Sequence, residues 1–424
     1  MQVGVLGAGI IGLTTAWALA EAGCTVSIID AQPTAGQGAS RGNGAQLSYG
    51  FVAPLASPET LRHLPALLLE QDGPLLVRPG LDPAFLRWGM AFLAACRPGT
   101  VRRTIAAQLA LAALSRTELE TLAARLPLQF GLRQAGKLVL YRAPASFAAA
   151  RSAAQPGTSL LSGAECLALE PGLRIPAAAI AGGLYTATEQ VGDCGAFCDG
   201  LAAALRARNT VRWHMGAPAR PVMEGGRLAA VQAGPDRIEA DAFVLALGSG
   251  AARFAAGAGI RLPIYPLKGY SLTLHPNGPG AALSHSVTDA DRKVVFAPLE
   301  APHENAATPL IRAAGVADMV GHDPRLDPAR LAAVQNAARD ALDVDWTAPT
   351  APWTGLRPAT PDSRPIIGWS GCPGLFLNTG HGALGWTLAC GSARLATTLL
   401  LAQPPPVPPE PFALHRSSRF RRAK

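Results

Sequence analysis

Three glycines within six residues, Gly7-Ala8-Gly9-Ile10-Ile11-Gly12, join an apolar run (Gln2 to Leu6) to a segment of helical pattern (Ile10 to Ala22) that Gly23 closes. This spacing narrows the fold more than any other feature of the chain. Gly7 permits a tight turn out of a buried strand, Gly9 lets the backbone approach a pyrophosphate, and Gly12 lets helix and strand touch. The free amides and partial positive charge of the helix start then face the phosphates. A second apolar run, Thr25 to Asp30, ends in an acid 18 residues past Gly12. That carboxylate is placed to accept hydrogen bonds from a ribose 2′-hydroxyl and to disfavour a 2′-phosphate, and so NADP. Strand, turn, helix, strand and terminal acid predict a Rossmann-like βαβ unit that binds a dinucleotide. Its lining is expected to include Val3, Leu6, Gly7, Ala8, Gly9, Ile10, Ile11, Gly12 and Asp30.

The chain has 424 residues, too many for one compact core, and is 49% hydrophobic but only 16% charged. That balance excludes a disordered or fibrous protein and points to two domains. No apolar run reaches the roughly 18 residues of a membrane span. The apolar N-terminus lacks the basic n-region of a signal peptide, so a cytoplasmic protein that keeps its N-terminus is expected. The seven cysteines are scattered; Cys194 and Cys198 stand four apart with no second pair near a histidine. They are read as reduced, small apolar residues, and no metal site is expected. Much of the net charge of +8 lies in the tail His415 to Lys424. A short basic tail is either solvated or in contact with anionic lipid, which leaves a peripheral contact with the inner face of the plasma membrane open. Basic residues elsewhere are dispersed without an aromatic-basic stripe, which speaks against nucleic acid.

The glycine turn does not separate FAD from NAD. Three other segments favour flavin. Ala39 to Gln46 is small and polar, suited to wrapping phosphates and a ring edge, with Ser40, Asn43 and Gln46 as candidate contacts. Val244 to Ser249 is an apolar strand that ends in small residues at Gly248. In Leu377 to Trp386 a strand feeds a glycine turn, Gly380-His381-Gly382-Ala383-Leu384, that opens a helix. Helix amides aimed at the N1–C2 carbonyl edge of a flavin stabilise the negative charge of the reduced ring, whereas nicotinamide gains no such charge. Ala219 is counted with the cofactor contacts as well.

Taken together these segments resemble the D-amino-acid oxidase superfamily of flavoproteins and, within it, the bacterial D-amino-acid dehydrogenases. The phrases that carry the resemblance are Gly42 to Ser48, Gly192-Asp193-Cys194, Tyr265 to Thr273, Trp353 to Pro358 with Thr360-Pro361-Asp362, and Asn378 to Ser392. It is weaker around Pro298 to Pro309. The resemblance implies non-covalent FAD, oxidative deamination of D-amino acids to 2-oxo acids and ammonia, and electrons passed to a quinone-linked respiratory acceptor. The fold expected is α/β: a discontinuous Rossmann-like FAD-binding domain (1–50, 188–258 and 352–405) with an inserted α+β mixed-sheet substrate domain (51–187 and 259–351), and a basic tail at 406–424.

An amino acid anion needs a fixed cation for its carboxylate, ideally a bidentate guanidinium. Arg357 and Arg312 are the two candidates, and Tyr265 and Tyr270 are candidates to close the pocket. With the carboxylate held and the amine neutral, the Cα hydrogen can leave as hydride to flavin N5 without a dedicated base. His381 is the candidate to tune the ring or the amine proton, should its pKa lie near neutrality. Lys268 is a further neighbour of the ring or an exposed strand lysine. Rival readings are a flavoenzyme for a secondary amine (D-hydroxyproline, D-proline or sarcosine), an FAD-binding electron-transfer subunit, and an NAD-dependent dehydrogenase.

Overall fold

The computed structural model describes residues 1–62, 73, 75–78, 82–300 and 309–416. The βαβ unit forms as its sequence predicts. The Gln2–Leu6 and Thr25–Asp30 strands pair in parallel around the Ile10–Glu21 helix. Four further strands extend this sheet. Val211–Met215 joins Thr25–Asp30, while Ala242–Leu245 joins the other side of Gln2–Leu6 and pairs onward with Leu375–Thr379. Ile366–Trp369 closes the edge, antiparallel. The central strands are continuous apolar runs because both faces are covered, as in parallel sheets generally.

On one face lie the Ile10–Glu21, Cys194–Arg206 and Gly385–Leu400 helices, the last packed against both Ile10–Glu21 and Pro98–Arg125. Leu13, Phe197, Leu201 and Leu388 are fully buried there. Truncating any of these to alanine costs about 2–5 kcal/mol. The other face is covered by the three-stranded antiparallel sheet of Ala219–Glu224, Arg227–Ala233 and Asp236–Glu239. The substrate half is a nine-stranded mixed sheet whose order runs from Trp353–Ala359 through Tyr265–Leu274, Pro309–Met319, Val294–Glu300, Ser286–Asp289 and Lys137–Tyr141 to Gly182–Thr186 and Ser159–Leu161. The short Leu75–Val77 strand pairs with Pro309–Met319.

The structure corrects several expectations. The Pro98-Gly99 pair, a turn signal by residue type, instead opens a 28-residue helix, Pro98–Arg125, because proline at the first helical position loses no hydrogen bond. That helix packs on the parallel sheet's side of the molecule, not in the substrate half. The Trp353–Ala359 segment, assigned to the FAD half, is an edge strand of the substrate sheet. Pro358 is tolerated there because an edge strand can leave its missing N–H on the unpaired side. The basic tail is anchored at its start. Arg416 binds Asp362 bidentately (2.7 and 3.0 Å), and Arg364 shares the same carboxylate. Tail residues 417–424 and the variable stretch 301–308 lie outside the described residues. Among the described residues no helix is long and apolar enough to cross a membrane.

Candidate active site

The parallel strands end side by side. Leu6 pairs in register with Ile29 and Leu245, and Leu245 with Leu377, so the turns that follow emerge at one edge of the sheet. In an open α/β sheet that edge is where ligands bind. Gly7 has a φ of +111°, and a Cβ on it would stand 2.4 Å from the Ala246 carbonyl oxygen. A Cβ on Gly12 would stand 1.8 Å from the Gly7 carbonyl oxygen. Strand, helix and neighbouring turn therefore touch through backbone, with no room for a side chain.

Asp30 accepts hydrogen bonds from Ala8 N at 2.6 Å and Gln32 N at 2.8 Å, which fixes its carboxylate beside the glycine turn. Ser40 Oγ accepts from Ile10 N at 3.0 Å, so the Ala39–Gln46 loop caps the first helix. Asn43 Oδ1 accepts from Ala45 N at 3.0 Å. Val3 and Leu6 are buried in the first strand, and Ala219 starts the sheet beneath it. Gly248–Gly250 and Gly382–Leu384 each form a single tight helical turn, and the Trp353–Ala359 strand lies against both. Behind the second turn, Asn378 Oδ1 and the Thr379 hydroxyl are buried without a hydrogen-bond partner among the described residues. A glycine turn that admits only backbone, with Asp30 fixed beside it, fits the dinucleotide part of a cofactor such as FAD.

Strand alternation separates the substrate candidates. Arg357 sits opposite Leu267, one pleat from Gly269 and Gly355. Its guanidinium lies over Gly269, where a Cβ would stand 2.3 Å from Nη2. The Trp353 indole lies over Gly355 and against Gly42 of the cofactor loop. The face that carries Arg357 is thus the face turned to the predicted cofactor segments. Among the described residues the Arg357 guanidinium makes no hydrogen bond and no ion pair. Protein surrounds the guanidinium closely enough that burial pulls its pKa below the ordinary arginine value.

Arg312 reaches the same loop but is not free. It donates to Thr273 Oγ1 (3.1 Å), the Asn43 carbonyl (2.7 Å) and Asp193 Oδ2 (3.2 Å). It clamps the loop to the start of the Cys194–Arg206 helix, which Asp193 caps through Gly195 N and Ala196 N. The expectation of Arg312 as a carboxylate ligand is corrected accordingly.

Tyr270 and Lys268 point to the opposite face. Tyr270 donates to Asp318 at 2.7 Å, and Asp318 is held by Arg330 of the Pro328–Ala341 helix at 2.8 Å. Tyr270 packs beneath that helix, on the face away from Arg357. A cavity of about 600 Å³, lined among others by Tyr265, Lys268, Tyr270, Asp318 and Asp323, does not include Arg357. Tyr265 shares the Arg357 face, but its ring packs on Phe85 (centroids 5.3 Å apart) and Trp88. Burial, with Asp82 nearby, pushes its phenol up to about 12.

His381 is 2% exposed, with Nε2 3.0 Å from Ser392 Oγ. The Ser392 hydroxyl donates to the Leu388 carbonyl at 2.6 Å, so the ring must be the donor to Ser392. Burial pulls its pKa down to about 3. The imidazole is neutral, which corrects the expectation of a value near neutrality.

One buried cation escaped the sequence reading. Lys137, at the start of the Lys137–Tyr141 strand, donates to Gln46 Oε1 (3.1 Å) and Ser48 Oγ (2.9 Å) and stands 4.3 Å from the centre of the Phe51 ring. Gln46 in turn donates to Ser286, and Ser48 N donates to Thr387 in the last helix at 3.2 Å. Burial lowers the Lys137 pKa to about 8 against the opposing pull of Glu189. The network sews the substrate sheet to the cofactor loop. The signal available in the sequence was a lysine opening an otherwise apolar run.

A family model described as FAD dependent oxidoreductase matches residues 2–399. D-amino acid dehydrogenase 2 of Ralstonia nicotianae is 43% identical over 434 residues, covering 98% of this chain and all of the relative. D-amino acid dehydrogenase 2 of Pseudomonas aeruginosa is 45% identical over 412 residues and 96% of each chain. Among solved structures, a glycine oxidase from Geobacillus kaustophilus superposes with a TM-score of 0.71 at 21% identity, covering 98% of both chains. At that identity the likeness speaks for the fold alone.

Proposed function

The chain belongs to the family of FAD-dependent oxidoreductases, and from that premise we propose that it oxidises D-amino acids to 2-oxo acids and ammonia. The observation that carries the reading is the unpaired guanidinium of Arg357 beside the Gly248–Gly250 and Gly382–Leu384 turns. Bound FAD supplies the two-electron acceptor. Gly7, Gly9, Gly12 and Asp30 would hold its dinucleotide part, and the turn from Gly380 to Leu384 would supply amides to its ring. Arg357 takes the substrate carboxylate in a bidentate grip, and burial strengthens that pairing. This would fix Cα against the cofactor, so that the Cα–H bond breaks with its electron pair passing to FAD as hydride and the neutral amine becomes an iminium ion. The iminium takes up water and expels ammonia, with one proton released to solvent, leaving the 2-oxo acid. His381, neutral and donating to Ser392, orients its turn and moves no proton.

We assign the electrons to a quinone-linked respiratory acceptor, reached from the inner face of the plasma membrane. The test is steady-state turnover of D-alanine, D-proline, D-hydroxyproline and sarcosine, each with a soluble quinone analogue and with oxygen alone. The reading expects D-alanine to be turned over, and faster with the quinone. Turnover of the secondary amines alone moves the substrate class. Equal rates with oxygen remove the quinone.

A further inference from the structure

The Pro83–Ala95 helix is apolar on two opposite faces. Inward, Trp88, Phe92 and Ala95 are buried, and the Trp88 indole donates to the Ala359 carbonyl at 2.9 Å. Outward, Leu86, Met90 and Leu93 are 54%, 65% and 43% exposed. They stand at i, i+4 and i+7, one stripe along the helix. The neighbouring segment, whose Ala56 is buried in one cluster with Trp88 and Phe92, exposes Leu55 and Leu61 as well. A soluble surface rarely gathers so many exposed large apolar side chains without a partner.

The charge around the stripe selects the partner. Residues 82–103 contain four arginines, Arg87, Arg97, Arg102 and Arg103, against the single acid Asp82. All four arginines are exposed, and none pairs with a carboxylate among the described residues. Asp82 accepts from Ala84 N at the start of its own helix. A second copy of the chain would bring two such cationic faces together, which Coulomb repulsion opposes. Anionic lipid offers hydrocarbon for the leucines and phosphate for the arginines at once.

We propose that this helix is a membrane-docking face, with Leu86, Met90 and Leu93 entering the acyl boundary of an anionic leaflet and the arginines holding its phosphates. Its inner side touches the strand that carries Arg357, so docking sets the candidate active site close to the bilayer. The idea rests on the reading that the acceptor is membrane-held, and it differs from the basic tail as the anchor.

The full chain loaded with FAD is sedimented with phosphatidylglycerol–phosphatidylethanolamine vesicles and with phosphatidylcholine vesicles. Binding is expected to the anionic vesicles only and to weaken as salt rises. The combined Leu86→Gln, Met90→Gln, Leu93→Gln variant is expected to lose roughly tenfold or more in partitioning. Its turnover with a soluble dye and its mass by light scattering should not change. Arg87→Glu with Arg97→Glu should weaken binding too. The proposal is overturned if wild type ignores anionic vesicles, if only removal of residues 417–424 abolishes binding, or if the leucine variant turns a dimer into a monomer. Failure of the acceptor reading looks different: vesicle binding through the stripe would persist while only oxygen is reduced.

Discussion

The guanidinium of Arg357 lies on Gly269, so closely that a Cβ at Gly269 would stand 2.3 Å from Nη2. The two residues belong to neighbouring antiparallel strands, one pleat apart on the same face. The missing side chain at Gly269 is what lets the arginine lie flat along the sheet and face the cofactor segments.

Gly269→Ala should therefore leave a folded, yellow protein that handles substrate poorly. A displaced fork loses about 2–3 kcal/mol of charge-assisted hydrogen bonding, or roughly 30- to 150-fold in kcat/KM for D-alanine. Arg357→Ala should do at least as much, and Arg357→Lys should recover only part, because an ammonium cannot bind in fork geometry. Steady-state kinetics with a dye acceptor check all three. Unchanged kcat/KM in Arg357→Ala would move the carboxylate site elsewhere.

Arg312→Ala should behave differently. The arginine ties Thr273, Asn43 and Asp193 together, so its loss should lower the Tm and loosen FAD while kcat/KM of the loaded enzyme stays within a few-fold. A thermal melt and a flavin titration separate this outcome from that of Arg357.

Gly12→Ala should give a protein that purifies colourless or fails to accumulate, since the new methyl would meet the Gly7 carbonyl. Flavin content per chain, read from the absorption spectrum, is the measurement.

His381 makes stability depend on acid. Its folded pKa of about 3 lies below the unfolded value of 6.5. Between these pH values the unfolded chain binds the extra proton, so stability is intact above about 6.5 and falls as pH drops toward 3. Denaturant melts across this window should show wild type losing stability that His381→Gln retains. A wild-type curve flat through the window would mean the ring is protonated in the fold.

The Lys137 network predicts a mixed phenotype. Lys137→Met removes the donor to Gln46 and Ser48 and leaves two buried acceptors short of a partner, at a cost of about 1–3 kcal/mol. A lower melting temperature and weaker FAD retention are expected together, because the loop joins both halves. Loss of one without the other would show that the loop is held by other contacts.

Much of the fold could be read along the chain. Gln2–Leu6 and Thr25–Asp30 stand as predicted because each is a short apolar run with clear punctuation. The Trp353–Ala359 strand was obscured by Pro358, which an edge position tolerates. The Pro328–Ala341 helix was missed because its buried stripe is built largely of alanine and one arginine, Arg330, which is buried only because Asp318 lies beneath it. Site residues were legible where backbone geometry demanded glycine. They were not legible where two strands decide which face a side chain takes. Tyr265 and Tyr270 look alike in the sequence, but strand pleating puts them on opposite faces. Arg357 and Arg312 look equally free until Asp193 is found beside one of them.

The most direct test of the central claim is anaerobic titration of the FAD-loaded protein with D-alanine and then L-alanine, following the flavin absorption. The account predicts that D-alanine bleaches the flavin, that L-alanine does not, and that Arg357→Ala bleaches only at far higher D-alanine. Bleaching by L-alanine, or a wild-type flavin untouched by any D-amino acid, would contradict it.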